Sequence, residues 1–161
     1  MALLQCWNDT STRQAILDFV SAVCDPAQSA YVDPVNRIAV FDNDGTLWAE
    51  KPLYFQLVFL LERLQTLAPQ HPEWNHEEPF YTALSGDPAQ LKTLKIPDDV
   101  LKLVAVTHGG MTQVEFMTEV RRFLETARHP RVGQPYPHLI YQPMMELIRY
   151  LQHHQFKVYI C

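Results

Sequence analysis

Residues 36–47 read NRIAVFDNDGTL, and this stretch decides the fold. The run 38–41 is apolar without interruption, which is typical of a short strand buried on both faces of a parallel sheet. Two carboxylates, Asp42 and Asp44, follow it directly, and Gly45 can turn the backbone sharply. Open α/β sheets bind ligands at the edge where the strands end. The pattern therefore predicts a strand that leads into a ligand-binding loop.

The two carboxylates can carry out phosphoryl chemistry. Both are ionised at neutral pH, and a cation beside them would offset their mutual repulsion. Oxygen ligands suit Mg²⁺, which also binds substrate phosphates. Asp42 can then attack phosphorus to form an aspartyl phosphate, while Asp44 protonates the leaving alkoxide and later activates water. The alternative is a polar turn without catalytic function, since Asx turns are common.

The sequence DxDGT at residues 42–46, after an apolar strand, resembles the first motif of haloacid dehalogenase-like (HAD) phosphatases. Within that superfamily it is most similar to phosphoserine-phosphatase-like acid phosphatases, which carry an all-helical cap between the first strand and the second motif. Residues 144–151 and 156–160 resemble the helix and strand that lead to that second motif. The resemblance implies an α/β fold, the start of a Rossmannoid parallel sheet with a helical cap inserted after the first strand. The sheet is expected to be incomplete.

The resemblance also implies roles for individual residues. Asp42 is expected to be the nucleophile and Asp44 the general acid/base, with Mg²⁺ bound by the Asp42 carboxylate and the Asp44 backbone carbonyl. Thr46 matches the hydroxyl position of the motif. Glu50 is a candidate substrate-binding residue, although a solvated helix start is the alternative. The implied function is Mg²⁺-dependent hydrolysis of a small phosphomonoester.

Other parts of the family pattern are expected beyond Cys161. They are the Ser or Thr of the second motif, the Lys of the third and the acidic metal ligands of the fourth. Cys161 is expected to occupy the apolar position before that Ser or Thr, and Lys157 to point away from the site. We therefore expect an N-terminal fragment of a phosphatase, inactive alone and of marginal stability because exposed strand edges invite aggregation. The alternative is a degenerate or truncated HAD-like protein that binds metal or a partner without turnover.

The hydrophobic periodicity of the rest of the chain predicts two structural parts. We predict a partial α/β core from residues 1–49 and 139–161, and a helical cap from residues 50–138. The final residues FKVYIC are expected to form a second buried strand. Helices are predicted over residues 9–24, 52–67, 77–85, 97–106 and 112–127, with another that begins near Pro143.

Local signals add detail to the predicted cap. Thr112 and Glu115 have the spacing of a capping box. The helix after them is predicted to bury an apolar stripe that begins with Val114 and Met117. His108 is assigned to a glycine-containing loop, and the proline-rich residues 128–138 are assigned to a linker.

Composition and charge limit the class of protein. The chain has 161 residues, of which 47% are hydrophobic, which is ordinary for one globular domain. Its net charge of −5 offers no basic surface, so nucleic acid is not an expected partner. The three cysteines lack a C-x-x-C pattern and predict free thiols. Residues 53–61 are too short to span a bilayer and no signal peptide is evident, so we expect a cytoplasmic protein without membrane contact. The oligomeric state is not predicted.

Overall fold

A computed structural model describes residues 4–161. These residues form two compact units. Residues 4–51 and Pro137–Cys161 form the first, here named the sheet unit, and Pro52–Tyr136 form the second, here named the helical unit. The assignment of residues 1–49 and 139–161 to a HAD-like core and 50–138 to a cap stays a prediction, and residues 1–3 lie outside the described part.

The fold is mixed α/β with helices in the majority, which confirms the coarse fold class. Short 3₁₀ turns lie at Pro34–Asn36, Ala68–Gln70, Pro72–Asn75 and Tyr136–Leu139. The helices and strands in chain order are α1 (Ser11–Cys24), β1 (Ile38–Phe41), α2 (Phe55–Leu67), α3 (Phe80–Ser85), α4 (Pro88–Leu91), α5 (Asp98–His108), α6 (Gln113–Thr126), α7 (Gln142–His153) and β2 (Lys157–Ile160).

Local sequence signals set several helix starts. At α6, Thr112 Oγ1 accepts from the Glu115 backbone N–H at 3.3 Å, and Glu115 Oε2 accepts from the Thr112 N–H at 2.7 Å. This reciprocal pair confirms the predicted capping box. Thr10 caps α1, and Pro143 lies in the first turn of α7, where its missing N–H costs nothing. The sequence did not predict the one-turn helix α4, which Asp87 caps through the Ala89 N–H.

The sheet of the described residues consists of β1 and β2 in parallel. Ile38 lies opposite Lys157, and Phe41 lies opposite Ile160. The ladder closes with the Cys161 N–H, which donates to the Phe41 carbonyl at 2.9 Å. Both strands therefore end at the same edge, the edge at which Asp42 begins the candidate loop.

The prediction that the strand at 38–41 is buried on both faces is wrong, and so is the prediction that the final strand is buried. Ala39 and Val158 pack against the apolar core of the sheet unit, which α1 and α7 supply. Alternate side chains point to the other face, where Ile38, Val40 and Tyr159 are 56%, 59% and 53% exposed. Helices cover only one face of this sheet among the described residues.

Each unit has its own buried core. The core of the sheet unit contains Leu4, Val20, Val23, Leu147, Leu151 and Phe156. The core of the helical unit contains Leu60, Leu64, Trp74, Phe80, Ala83 and Leu103.

Two ion pairs join α2 to α6 in the helical unit. Arg63 pairs with Glu119 at 3.1 Å, and Arg122 pairs with Glu62 at 3.0 Å.

Helix α6 buries a different face from the predicted one. Val114 and Met117 are exposed, whereas Phe123 is fully buried. The rings of Phe116 and Phe123 lie 6.1 and 5.1 Å from the ring of Phe59 on α2. Aromatic rings bury more apolar area than Val or Met, so they decide which face turns inward.

Two loop assignments in the helical unit are also wrong. His108 is the last residue of α5 rather than part of a loop. The proline-rich segment 128–138 is packed rather than a free linker, because His129 and Tyr136 are 4% and 2% exposed. Tyr136 stacks on Phe123 with ring centroids 5.4 Å apart. Burial and then the charge of Glu62 raise the pKa of Tyr136.

Two further expectations concern free thiols and membrane-spanning helices. Cys6, Cys24 and Cys161 form no disulfide within the described residues. Of the helices in residues 4–161, none has the length and apolar character needed to cross a membrane.

Candidate active site

The candidate loop begins where β1 ends. Asp42 is exposed, whereas the side chains of Asn43, Asp44 and Thr46 are partly buried. The backbone carbonyl of Asn43 accepts from the N–H groups of Thr46, Leu47 and Trp48 at 3.2, 2.8 and 3.4 Å. This one carbonyl therefore gathers the following residues into a compact turn beyond the strand.

The backbone conformation at Gly45 favours glycine. Its φ of +76° lies in the left-handed region that other residues rarely adopt. A Cβ at this position would lie 2.9 Å from Cδ and 3.1 Å from Oε2 of Glu50, at the flexible end of that side chain. The Glu50 carboxyl group therefore packs directly against the loop, where it also pairs with Lys51 Nζ at 3.3 Å.

Asp44 is held by a tryptophan. The indole Nε1–H of Trp48 donates to Asp44 Oδ1 at 2.8 Å. The backbone carbonyl of Trp48 accepts from the Gly45 N–H at 2.9 Å, which closes the turn from the other side. The sequence interpretation missed Trp48, because a spacing of four residues brings side chains together in a helix and these residues are not helical.

The loop is anchored to the segment that precedes α7. The Tyr141 N–H donates to the Leu47 carbonyl at 2.8 Å, and the Ala49 N–H donates to the Leu139 carbonyl at 3.3 Å. Leu47 is buried. The position of the carboxylates is therefore fixed by backbone hydrogen bonds across the sheet unit as well as by β1.

An apolar groove of about 370 Å³ borders the loop within the sheet unit. Asn43, Leu47 and Trp48 line it from the loop, and Ile140 and Met145 line it from the segment 140–145. The indole of Trp48 thus has an apolar surface on one side and the Asp44 carboxylate at its N–H.

The residues that would hold Mg²⁺ are Asp42, whose side chain is exposed, and Asp44 through its backbone carbonyl, with the Glu50 carboxyl group against Gly45. Carboxylate and carbonyl oxygens are ligand types that suit Mg²⁺, which binds through one or two carboxylates and keeps several water ligands. Across residues 4–161, no three His, Cys, Asp or Glu side chains gather in a metal-binding cluster.

The structure brings the predicted residues Asp42, Asp44, Thr46 and Glu50 into one loop of the sheet unit. Lys157 begins β2, and its Nζ donates to the Val35 carbonyl at 2.8 Å, at the end of the sheet away from Asp42.

His108 belongs to the helical unit. Its ring lies 5.6 Å from the ring of Phe59 and 5.3 Å from the ring of Phe116. Burial lowers the pKa of His108, and the charge of Arg63 lowers it further against a backbone hydrogen bond that raises it. The partly buried His108 ring therefore packs against aromatic side chains of the helical unit.

Comparison with known proteins gives no family for the chain. No family model matches it, and no curated protein matches it. Function is therefore argued from the geometry of the loop and the chemistry of its side chains.

Proposed function

We propose that the loop at residues 42–50 is the active-site loop of a Mg²⁺-dependent phosphomonoester hydrolase of the HAD-like type. One observation carries the proposal: two carboxylates, two residues apart, follow the carboxyl end of a parallel strand, and Gly45 turns the chain directly after them. This edge of an α/β sheet is where ligands bind. The resemblance of the DxDGT sequence to the first HAD motif supports the same assignment.

The proposed reaction has two steps. An Asp42 carboxylate oxygen attacks phosphorus, the bond between phosphorus and the ester oxygen breaks, and Asp44, which must enter this step in its protonated form, gives its proton to the departing alkoxide. Water then attacks phosphorus, Asp44 accepts the proton of the water, and phosphate leaves as Asp42 is regenerated. Mg²⁺, when bound, supplies positive charge against the phosphoryl oxygens.

Charge in the loop supports a strict dependence on a cation. Asp42, Asp44 and Glu50 are acidic, and the one nearby base in the loop sequence, Lys51, pairs with Glu50. A phosphate ester is itself an anion, so the loop alone would repel it. Hydrolysis is therefore expected only when a divalent cation is present, and the substrate is proposed to be a small phosphomonoester rather than a nucleic acid.

Hydrolysis of p-nitrophenyl phosphate by the natural protein that contains residues 1–161 tests the proposal, since these residues are expected to be inactive alone. We expect turnover with Mg²⁺ and none after chelation, and we expect Asp42→Asn to lower kcat by about 10³-fold or more because the nucleophile is lost. Asp18→Asn is the matched control, since Asp18 is exposed on α1 of the same unit and accepts from Gln14 Nε2 at 2.7 Å. Undiminished hydrolysis by Asp42→Asn would overturn the role of Asp42.

Calorimetric titration with Mg²⁺ distinguishes the proposed phosphatase from a protein that binds metal without turnover. Mg²⁺ binding that is lost in Asp42→Asn, together with no hydrolysis by the wild-type natural protein, would favour a protein that binds metal without turnover. Absence of both binding and hydrolysis would overturn the metal site and the reaction together.

A further inference from the structure

Trp48 has no part in the proposed reaction, yet it makes two contacts with the loop. Its indole N–H donates to Asp44 Oδ1 at 2.8 Å, and its backbone carbonyl accepts from the Gly45 N–H at 2.9 Å. Side chain and backbone of one residue therefore bind two neighbouring positions of the motif. The indole is a donor only, so it cannot compete with Asp44 for a proton.

The backbone of Trp48 is held in place by neighbouring segments. Trp48 forms an isolated antiparallel bridge with Ile140, and it lines the apolar groove that Leu47 and Met145 also line. A donor that rests on ordered structure can fix the orientation of its acceptor. A carboxylate without such a donor rotates broadly about χ2.

We infer that Trp48 is the positioning residue of Asp44: its indole N–H holds Oδ1 and leaves Oδ2 as the oxygen that exchanges the proton. The acid/base role of Asp44 rests on the proposed function, whereas the hydrogen bond rests on the geometry alone. Hydrogen bonds to an ionised acceptor are about twice as strong as neutral ones, which suits a contact that must fix a carboxylate.

The first test removes the N–H and keeps an aromatic ring. Trp48→Phe should lower kcat about 10- to 100-fold, the loss expected for a hydrogen bond to a charged group. KM and the Mg²⁺ dissociation constant should change by about twofold or less, because Asp44 would bind the ion through its backbone carbonyl. Trp7→Phe is the matched control, since the Trp7 indole N–H donates at 2.8 Å to the Pro143 carbonyl in the same unit.

A double-mutant cycle separates positioning from simple support of the fold. If Trp48 acts through Asp44, Trp48→Phe should have no further effect on kcat in an Asp44→Asn background. An equal loss of kcat in both backgrounds would show a purely structural role and would overturn the inference.

The second test needs no activity. The indole N–H resonances of Trp7, Trp48 and Trp74 can be assigned by NMR from the three Trp→Phe variants. We expect Asp44→Ala, which removes the acceptor, to shift the Trp48 resonance and to speed its hydrogen exchange, and to leave the Trp7 resonance in place. A Trp48 resonance that does not respond would overturn the inference whatever the activity. Absence of hydrolysis by the wild-type natural protein would instead overturn the proposed function, and with it the proton-transfer role of Asp44.

Discussion

The two units differ in where they leave apolar side chains exposed. In the helical unit the helices bury Leu64 and Leu103 between them, each 0% exposed, and leave Val114 of α6 on the outside. In the sheet unit, helices cover one face of the two strands, and Ile38 and Val40 on the other face of β1 are more than half exposed. The candidate carboxylates therefore lie in the unit that has an uncovered sheet face.

The contacts that stabilise the two cores differ from the contacts that hold the candidate loop in place. The loop after β1 is fixed by hydrogen bonds from the turn at Asn43, from Trp48 and from the segment before α7. These contacts are local to one end of the sheet unit. The geometry of the loop should consequently depend little on the apolar face that β1 exposes.

The largest expected loss of stability comes from a substitution in the core of the helical unit. Leu64→Ala should lower the free energy of unfolding by about 2–5 kcal/mol, because it leaves a cavity at a fully buried site. Ile38→Ala removes an aliphatic side chain of similar size from the exposed sheet face and should cost about 0.5 kcal/mol or less. Urea denaturation followed by far-UV circular dichroism measures both. Equal losses would contradict the difference between the units.

A smaller effect is expected at the start of α6. Thr112→Ala removes the capping hydroxyl and should destabilise the protein by about 1 kcal/mol. Thr118→Ala is the control, because the Thr118 hydroxyl bonds only to the Val114 carbonyl within the same helix and Ala is the better helix former. If thermal unfolding shows the same loss for both variants, the capping box does not stabilise the helical unit.

The smallest expected effect is the contribution of His108 to the pH dependence of stability. Burial lowers the pKa of His108 in the folded state, so the unfolded chain binds the proton more readily. Stability should therefore fall as the pH drops below the unfolded-state pKa of about 6.5, until the lowered folded pKa is passed. His108→Gln should remove this part of the pH dependence. Urea midpoints measured from pH 7 to pH 5 that fall in parallel for both proteins would contradict the expected contribution.

The sequence predicted features that depend on a few neighbouring residues. The capping box at Thr112, the helix start at Pro143 and the turn at Gly45 follow from backbone geometry and side-chain hydrogen bonds within the same segment. The strand before Asp42 was predicted from its apolar run, and the parallel pairing with the final strand follows the suggested α/β order.

Features that depend on distant partners were not predicted. The buried face of α6 depends on contact with Phe59 on another helix, and the burial of Tyr136 depends on contact with Phe123. The Asp44–Trp48 hydrogen bond depends on a turn whose shape the sequence pattern does not specify. Burial of β1 was overestimated because an apolar run does not show how many faces will be covered.

If Asp42 is the nucleophile, it becomes phosphorylated during turnover, and acid-quench mass spectrometry detects that phosphoryl group. The natural protein that contains residues 1–161 would be mixed with p-nitrophenyl phosphate and Mg²⁺, quenched in acid during turnover and digested. We expect one added phosphoryl group on the peptide that contains Asp42, absent without Mg²⁺ and absent from Asp42→Asn. Hydrolysis with the phosphoryl group on another peptide, or its persistence in Asp42→Asn, would contradict the role of Asp42.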